Sequence, residues 1–317
     1  GDKWSYYLSA EEYQEYIEDN NANLVGIGVS VVYSASEQAM LVTGVYDDSP
    51  ASEAGIQKLD YIVSVDLQDV AEIGYTESLN LVSGEKGSMV EIEIVRDGIN
   101  QFLTVQRDEV TKVSVTYEMI DDNIAYIKIS HFETETANQF TELVNLALEE
   151  GAEAFVFDVR NNTGGYLTKL VECLDILLPE GNVISTVSKA GNEEVYTSDS
   201  EMLDMPITVL VNASSYSAAE FFAAAIQDYG VGTIVGQATT GKGYTQSPVQ
   251  MSDGSAIILS TNKYYTPNGN NLADIGVIPD IEIELTDEQT ANFFFLTSDT
   301  DPQIKAAVEQ VTMELLK

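Results

Sequence analysis

Residues 206–230, PITVLVNASSYSAAEFFAAAIQDYG, constrain the fold more than any other stretch of this chain. An apolar, β-branched run passes through a turn of small residues into an amphipathic helix. A strand feeding directly into a helix is the building unit of a layered α/β domain. The turn also has chemical meaning. Ser217 stands where a helix begins, and the free N–H groups and dipole of a helix N-terminus favour an anion. A tetrahedral oxyanion would be stabilised there. Downstream, Lys242 lies between Gly241 and Gly243 and leads into a β-rich stretch. A serine nucleophile needs a base. The one histidine, His131, lies at a strand end away from this turn. A desolvated lysine is the alternative.

The 317 residues leave room for two or three domains, and 44% hydrophobic residues support a sizeable core. No run of about 18 apolar residues suggests a transmembrane helix. The opening Gly1-Asp2-Lys3 carries no signal peptide, so any targeting segment is expected to lie outside this chain. The single cysteine, Cys173, forms no internal disulfide. A net charge of −38 repels polyphosphates and argues against nucleic-acid partners. The acidic residues are scattered, as on a solvated surface; an acidophilic or cation-rich niche is the sharper reading. One Cys and one His exclude zinc sites of thiolate or imidazole type, and no EF-hand loop is present.

Along the chain, a helix is expected over residues 10–20 with Ser9 as its cap. Short β segments follow from Leu24 to Arg107, with Asp97-Gly98 as a hairpin turn. Helical pieces are expected at 49–54 and 76–83. About 80 residues of this kind make a compact module. From Val110 strands and helices alternate, with helices at 136–149 and 167–178, implying a largely parallel sheet. The tail is helical over 302–316.

Several segments carry a resemblance in concert. Asn212-Ala213-Ser214-Ser215-Tyr216-Ser217-Ala218-Ala219-Glu220 is similar to N-x-x-S-A-S-A-S-E, and 236–246 to G-x-x-T-x-G-K-G-x-x-Q, with Ser217 and Lys242 25 positions apart. Tyr264 to Gly269 and Gly276 to Asp280 resemble Y-Y-T-P-x-G and G-I-x-P-D; Arg160 to Gly165 resembles R-x-N-P-G-G. Residues 24–29 and 49–56 resemble PDZ segments. In order and spacing, nearly the whole chain resembles the C-terminal processing, or tail-specific, serine proteases. Departures are Thr163 for proline, Ala219 for serine, Leu59 for a PDZ glycine, and Ser83 where many members carry a basic residue. Leu59 suggests a turn of different shape.

The resemblance implies a mixed α/β fold: a crotonase-like α/β serine-protease core with an inserted β-rich PDZ domain and helical terminal segments. The expected divisions are 1–23, 24–107, 108–285 and 286–317. It implies Ser217 as nucleophile, Lys242 as general base and Gln246 as the residue orienting the lysine. Without it, these read as a helix-cap serine, an exposed turn lysine and a strand-surface glutamine. Ala218 with Gly164, or less favourably Gly165, would form the oxyanion hole; the plain alternative is a βα turn. Gly26, Ile27, Gly28 and Val29 would bind a peptide's C-terminal carboxylate; otherwise they are a glycine-rich strand start. Gly236 to Lys242 also fits G-x-x-x-x-G-K, but Gly243 replaces the Mg²⁺-binding Ser/Thr and no helix pattern follows.

The expectation is therefore a serine endopeptidase with a Ser-Lys dyad, acting on proteins or peptides through free, unstructured C-terminal tails. It needs no metal or organic cofactor. It is extracytoplasmic, in the periplasm or at the cell surface, exported or anchored by a segment absent from this chain. Homo-oligomerisation is left open. The rivals are a non-catalytic PDZ tail-binding scaffold and, more distantly, a nucleotide hydrolase.

Overall fold

The computed structural model describes residues 2–19 and 23–317. They fall into two compact units: residues 2–19, 114–292 and 296–317, and residues 23–113 with 293–295.

The larger unit is built on a six-stranded sheet. Val115–Ile120 and Ile124–Ile129 pair antiparallel. Ala154–Asp158, Ile207–Val211, Thr233–Gly236 and Ile281–Glu282 then add in parallel. Successive side chains of a strand point to opposite faces. Phe157 therefore meets Phe140 and Phe222 of helices Thr136–Glu149 and Ala218–Tyr229, with Phe155 on the same face stacked against Phe157. Ala154 and Val156 face the other way, with Ile304, Ala307 and Val311 of helix Pro302–Leu315. Each large apolar side chain buried this way contributes about 1.5–3 kcal/mol. The tail expected as a separate extension is thus one layer of the core.

Arg160 fixes that layer. It is 2% exposed and lies between Asp158, at 2.6 Å from Nη2, and Asp301, at 2.7 Å from Nη1. Gln303 Oε1 accepts a further bond from Nη1. A second sheet of this unit joins Tyr6–Leu8, Ala256–Tyr265, Gly181–Ser188 and Glu193–Ser198, with Tyr244–Gln250 paired to Ala256–Tyr265. The N-terminal helix runs Ala10–Asp19, and the expected end at Asn20 lies outside the described residues. Ser9 and Glu12 cap it reciprocally.

In the smaller unit the sheet order is Val29–Ser34, Ala39–Val45, Tyr61–Val65, Met89–Arg96, Ile99–Gln106. Asp97 and Gly98 both have positive φ (51° and 75°), as the tight hairpin turn requires. Asp108–Thr111 pairs with Asn23–Gly26, which carries this unit past residue 107. Leu59, expected in a turn of different shape, lies in the turn before Tyr61–Val65. Its φ of 74° lies in the left-handed region that favours glycine, so leucine here occupies a backbone conformation suited to glycine. Near Ser83, Arg107 supplies a cation: its guanidinium donates to the carbonyls of Leu81 and Val82, closing the end of helix Tyr75–Val82.

Candidate active site

Three turns converge at the C-terminal ends of parallel strands, the edge where open α/β sheets hold ligands. Residues 159–165 follow Ala154–Asp158, residues 212–217 follow Ile207–Val211, and residues 237–243 follow Thr233–Gly236.

The turns are tied by hydrogen bonds. Asn161 N–H donates to Asn212 Oδ1, and Asn212 Nδ2 to Asn161 Oδ1, both at 3.0 Å. Ser215 Oγ donates to Val159 O at 2.8 Å, and Tyr216 N–H to Asn162 O at 3.1 Å. Thr240 ties the third turn, its N–H to Ser215 O and its hydroxyl to Ala213 O.

Ser217 precedes helix Ala218–Tyr229 with φ 59° and ψ −125°, a region that non-glycine residues rarely occupy. Such a conformation costs about 1–3 kcal/mol and persists only where its surroundings enforce it. Here Glu220 enforces it. This carboxylate is 0% exposed and accepts four bonds. Oε2 takes the N–H groups of Ser217 (2.9 Å) and Lys242 (2.8 Å). Oε1 takes the Gly241 N–H (2.7 Å) and the Thr239 hydroxyl (2.5 Å). One buried carboxylate therefore fixes the serine turn and the lysine turn to each other. Glu220 lies in the serine segment read from sequence, but no role was expected for it.

Lys242 is half-buried, and its Nζ donates to Gln246 Oε1 at 2.6 Å. Burial pushes its pKa below the ordinary lysine value, against the opposing charges of Glu220 and Asp2. The Nζ lies 5.3 Å from the ring centre of Trp4 and 5.4 Å from that of Tyr216. Gln246 Nε2 donates to the carbonyl of Trp4. Sequence reading missed Trp4 and Tyr216; Trp4 reaches the site from 238 positions away, beyond any local pattern.

Ala218, the first helical residue, has an N–H that cannot bond within the helix. Gly164 lies against it: a Cβ there would stand 2.8 Å from Ser217 Cβ and 3.1 Å from Ala218 N. Its own N–H, however, donates to Asn162 Oδ1 at 2.8 Å. That corrects the preference for Gly164 as donor. The exposed Gly165 next to it, φ 135°, has no recorded acceptor for its N–H among the described residues. His131 Nδ1 pairs with the Thr163 hydroxyl at 3.1 Å, outside these contacts.

In the smaller unit, Gly28 has φ 84°, and a Cβ there would stand 2.4 Å from Ser49 Cβ. The carbonyls of Ile27 and Gly28 accept from Ala51 N–H and Tyr46 N–H. Their N–H groups have no recorded acceptor among the described residues. Gly26 ends the strand paired with Asp108–Thr111, and Val29 begins Val29–Ser34, an edge strand of its sheet. Tyr75 OH donates to Val31 O at 3.1 Å, which sets helix Tyr75–Val82 beside that edge.

A family model of peptidase family S41 matches residues 123–283, and one of the PDZ domain matches residues 25–106. The carboxyl-terminal-processing protease of Synechocystis sp. is 30% identical over 312 residues, covering 96% of this chain and 72% of that protein. The carboxy-terminal processing protease CtpA of Bacillus subtilis is 30% identical over 314 residues, covering 96% and 67%. A probable CtpA-like serine protease of Staphylococcus epidermidis is 31% identical over 295 residues, and the chain spans 60% of its length. Among solved structures, the photosystem II D1 C-terminal processing protease superposes with a TM-score of 0.56 at 26% identity, covering 89% of this chain and 78% of that one. A putative S41 protease from Bacteroides fragilis shares the fold, with a TM-score of 0.65 at 17% identity over 100% of this chain and 87% of that one.

Proposed function

From the premise that the chain belongs to peptidase family S41 and carries a PDZ domain, we propose a serine endopeptidase with a Ser217–Lys242 dyad that selects substrates by their C-terminal tails. One observation carries the reading: the rare backbone conformation of Ser217 at a helix N-terminus, bound through Glu220 to the turn that presents Lys242.

The chemistry follows from those positions. A lysine at its ordinary pKa near 10.4 is protonated at neutral pH and is no base. Burial favours the neutral amine, and the Gln246 carbonyl orients it by accepting one of its hydrogens. Lys242 takes the hydroxyl proton as Ser217 Oγ attacks the scissile carbonyl. The Ala218 N–H, with the N–H of Gly165 in the Gly164-Gly165 turn, faces the developing oxyanion. The lysine returns the proton to the leaving amine, and water then hydrolyses the acyl-enzyme.

In the smaller unit, the unengaged N–H groups of Ile27 and Gly28, flanked by Gly26 and Val29, suit a terminal carboxylate. The edge strand Val29–Ser34 suits an added peptide strand. The reading includes an extracytoplasmic site of action, as the resemblance to the C-terminal processing proteases implies. The deciding experiment incubates the protein with peptides that differ only at the C-terminus, with Ser217→Ala as control. Cleavage that depends on both the serine and the tail is expected. Tail-independent cleavage, or cleavage by the Ser217→Ala protein, refutes the proposal.

A further inference from the structure

We propose that Trp4 is a positioning residue for Lys242: its indole closes the lysine pocket against water, and its carbonyl fixes the amide of Gln246. This inference rests on the reading of Lys242 as the base.

The carbonyl has a defined task. An amide such as that of Gln246 can present either oxygen or nitrogen to a lysine. Nitrogen would set a donor against a donor. The Gln246 Nε2 donates to Trp4 O, so Oε1 is the atom left for Lys242 Nζ. The orientation of the helper residue is thus set by a backbone carbonyl 242 positions away.

The ring has a separate one. Trp4 and Tyr216 stack with centroids 6.3 Å apart and planes 28° from parallel. The Lys242 amine lies against both faces. Tyr216 immediately precedes Ser217 in the chain, so the ring stacked on Trp4 belongs to the serine turn itself. The segment bearing Trp4 is anchored. Tyr6–Leu8 pairs with Ile258, Ile257 and Ala256, the Ser260 N–H donates to Ser5 Oγ, and Lys3 pairs with Asp274 at 2.8 Å.

The charged and titratable groups facing Lys242 pull in two directions. Glu220 and Asp2 favour its protonated form, as do the two π faces. Desolvation opposes them; the nearby Lys3 ammonium lies 5.0 Å from the Trp4 ring centre and is paired with Asp274. Desolvation is the leading influence, so the pKa lies below the ordinary value. Removing the indole admits water and moves the lysine back toward its ordinary pKa, even though a cation–π contact is lost with it.

The test uses the full chain and one peptide substrate. Trp4→Ala keeps the carbonyl, hence the Gln246 orientation, and loses the ring. The alkaline-rising limb of its kcat/KM profile should move up by at least about one pH unit. The rate at neutral pH then falls about tenfold or more, while the high-pH plateau stays within about threefold of the parent. Trp4→Phe, which restores an apolar cover, should shift the limb less. Trp4 is the only tryptophan. Its emission should therefore change with the same midpoint as the rate in the parent and stay flat there in Lys242→Ala. An unmoved or downward-moving limb in Trp4→Ala, with Lys242→Ala inactive, refutes the role of Trp4 alone. An emission change that persists in Lys242→Ala refutes it too. Full activity of Lys242→Ala removes the base assignment, and this inference with it.

Discussion

Replacing Glu220 by glutamine separates scaffolding from chemistry at this site. Thr239 Oγ1 accepts from Val277 N–H at 2.7 Å, so its own proton is left to point at Glu220 Oε1. The parent carboxylate thus meets four donors with an acceptor-only group. Glutamine must put a nitrogen in place of one oxygen. At the Oε2 position it would face the N–H groups of both Ser217 and Lys242. At the Oε1 position it faces Gly241 N–H and a threonine hydroxyl, which can turn and accept instead. The second orientation sacrifices one bond where the first sacrifices two. Glu220→Gln should therefore settle with its oxygen still on Ser217 and Lys242. The loss is one charge-assisted bond plus the weakening of the rest, about 2–4 kcal/mol. That is a large part of a stability of about 5–15 kcal/mol. Urea unfolding followed by Trp4 emission reads it, because Trp4 lies in the same unit as Glu220. Peptide turnover should fall less than about tenfold, since the serine and lysine turns stay joined. Glu220→Ala strands all four donors and should destabilise further while abolishing turnover. A Glu220→Gln protein as stable as the parent would refute the four-donor reading. One equally stable but inactive would mean that the carboxylate enters the chemistry.

The proposed dyad gives the pH dependence a definite sign: with its pKa lowered by burial, the neutral Lys242 amine is available below the ordinary lysine range, so kcat/KM should rise with pH through that lowered value. A rate flat from about pH 6 to 9, with chemistry limiting, would count against it. Arg160→Ala leaves Asp158 and Asp301 as buried carboxylates without their cation and should cost about 3–5 kcal/mol in urea unfolding. An unchanged midpoint would contradict the buried ion pairs. Amidating a peptide C-terminus removes the charge that the Ile27 and Gly28 N–H groups would bind and should weaken binding at least about tenfold by calorimetry on the Ser217→Ala protein. Equal affinities would exclude tail reading.

What the sequence revealed was local. The helix expected at 136–149 is Thr136–Glu149, because its apolar period is uninterrupted. Asp97-Gly98 forms its turn because few other pairs accept two positive φ values. The strand-turn-helix around Ser217 was legible for the same reason. What remained hidden depends on distant partners. Nothing near Trp4 in sequence indicates a lysine 238 positions on, and nothing in a single glutamate shows four donors converging on it. The Gly164 N–H looked available until the Asn162 side chain was seen to occupy it.

The helix Pro302–Leu315 also bears on when this molecule becomes active. The Ser217 and Lys242 turns are encoded before it, yet one face of the sheet beneath them is wet until the helix arrives. A ribosome adding about 5–20 residues per second needs about 4–17 s to travel from Ser217 to Asp301, where Arg160 finds its second carboxylate. During that interval the nascent chain carries the Ser217 turn on an unfinished floor. On the proposed reading, the order of synthesis itself postpones completion of the site.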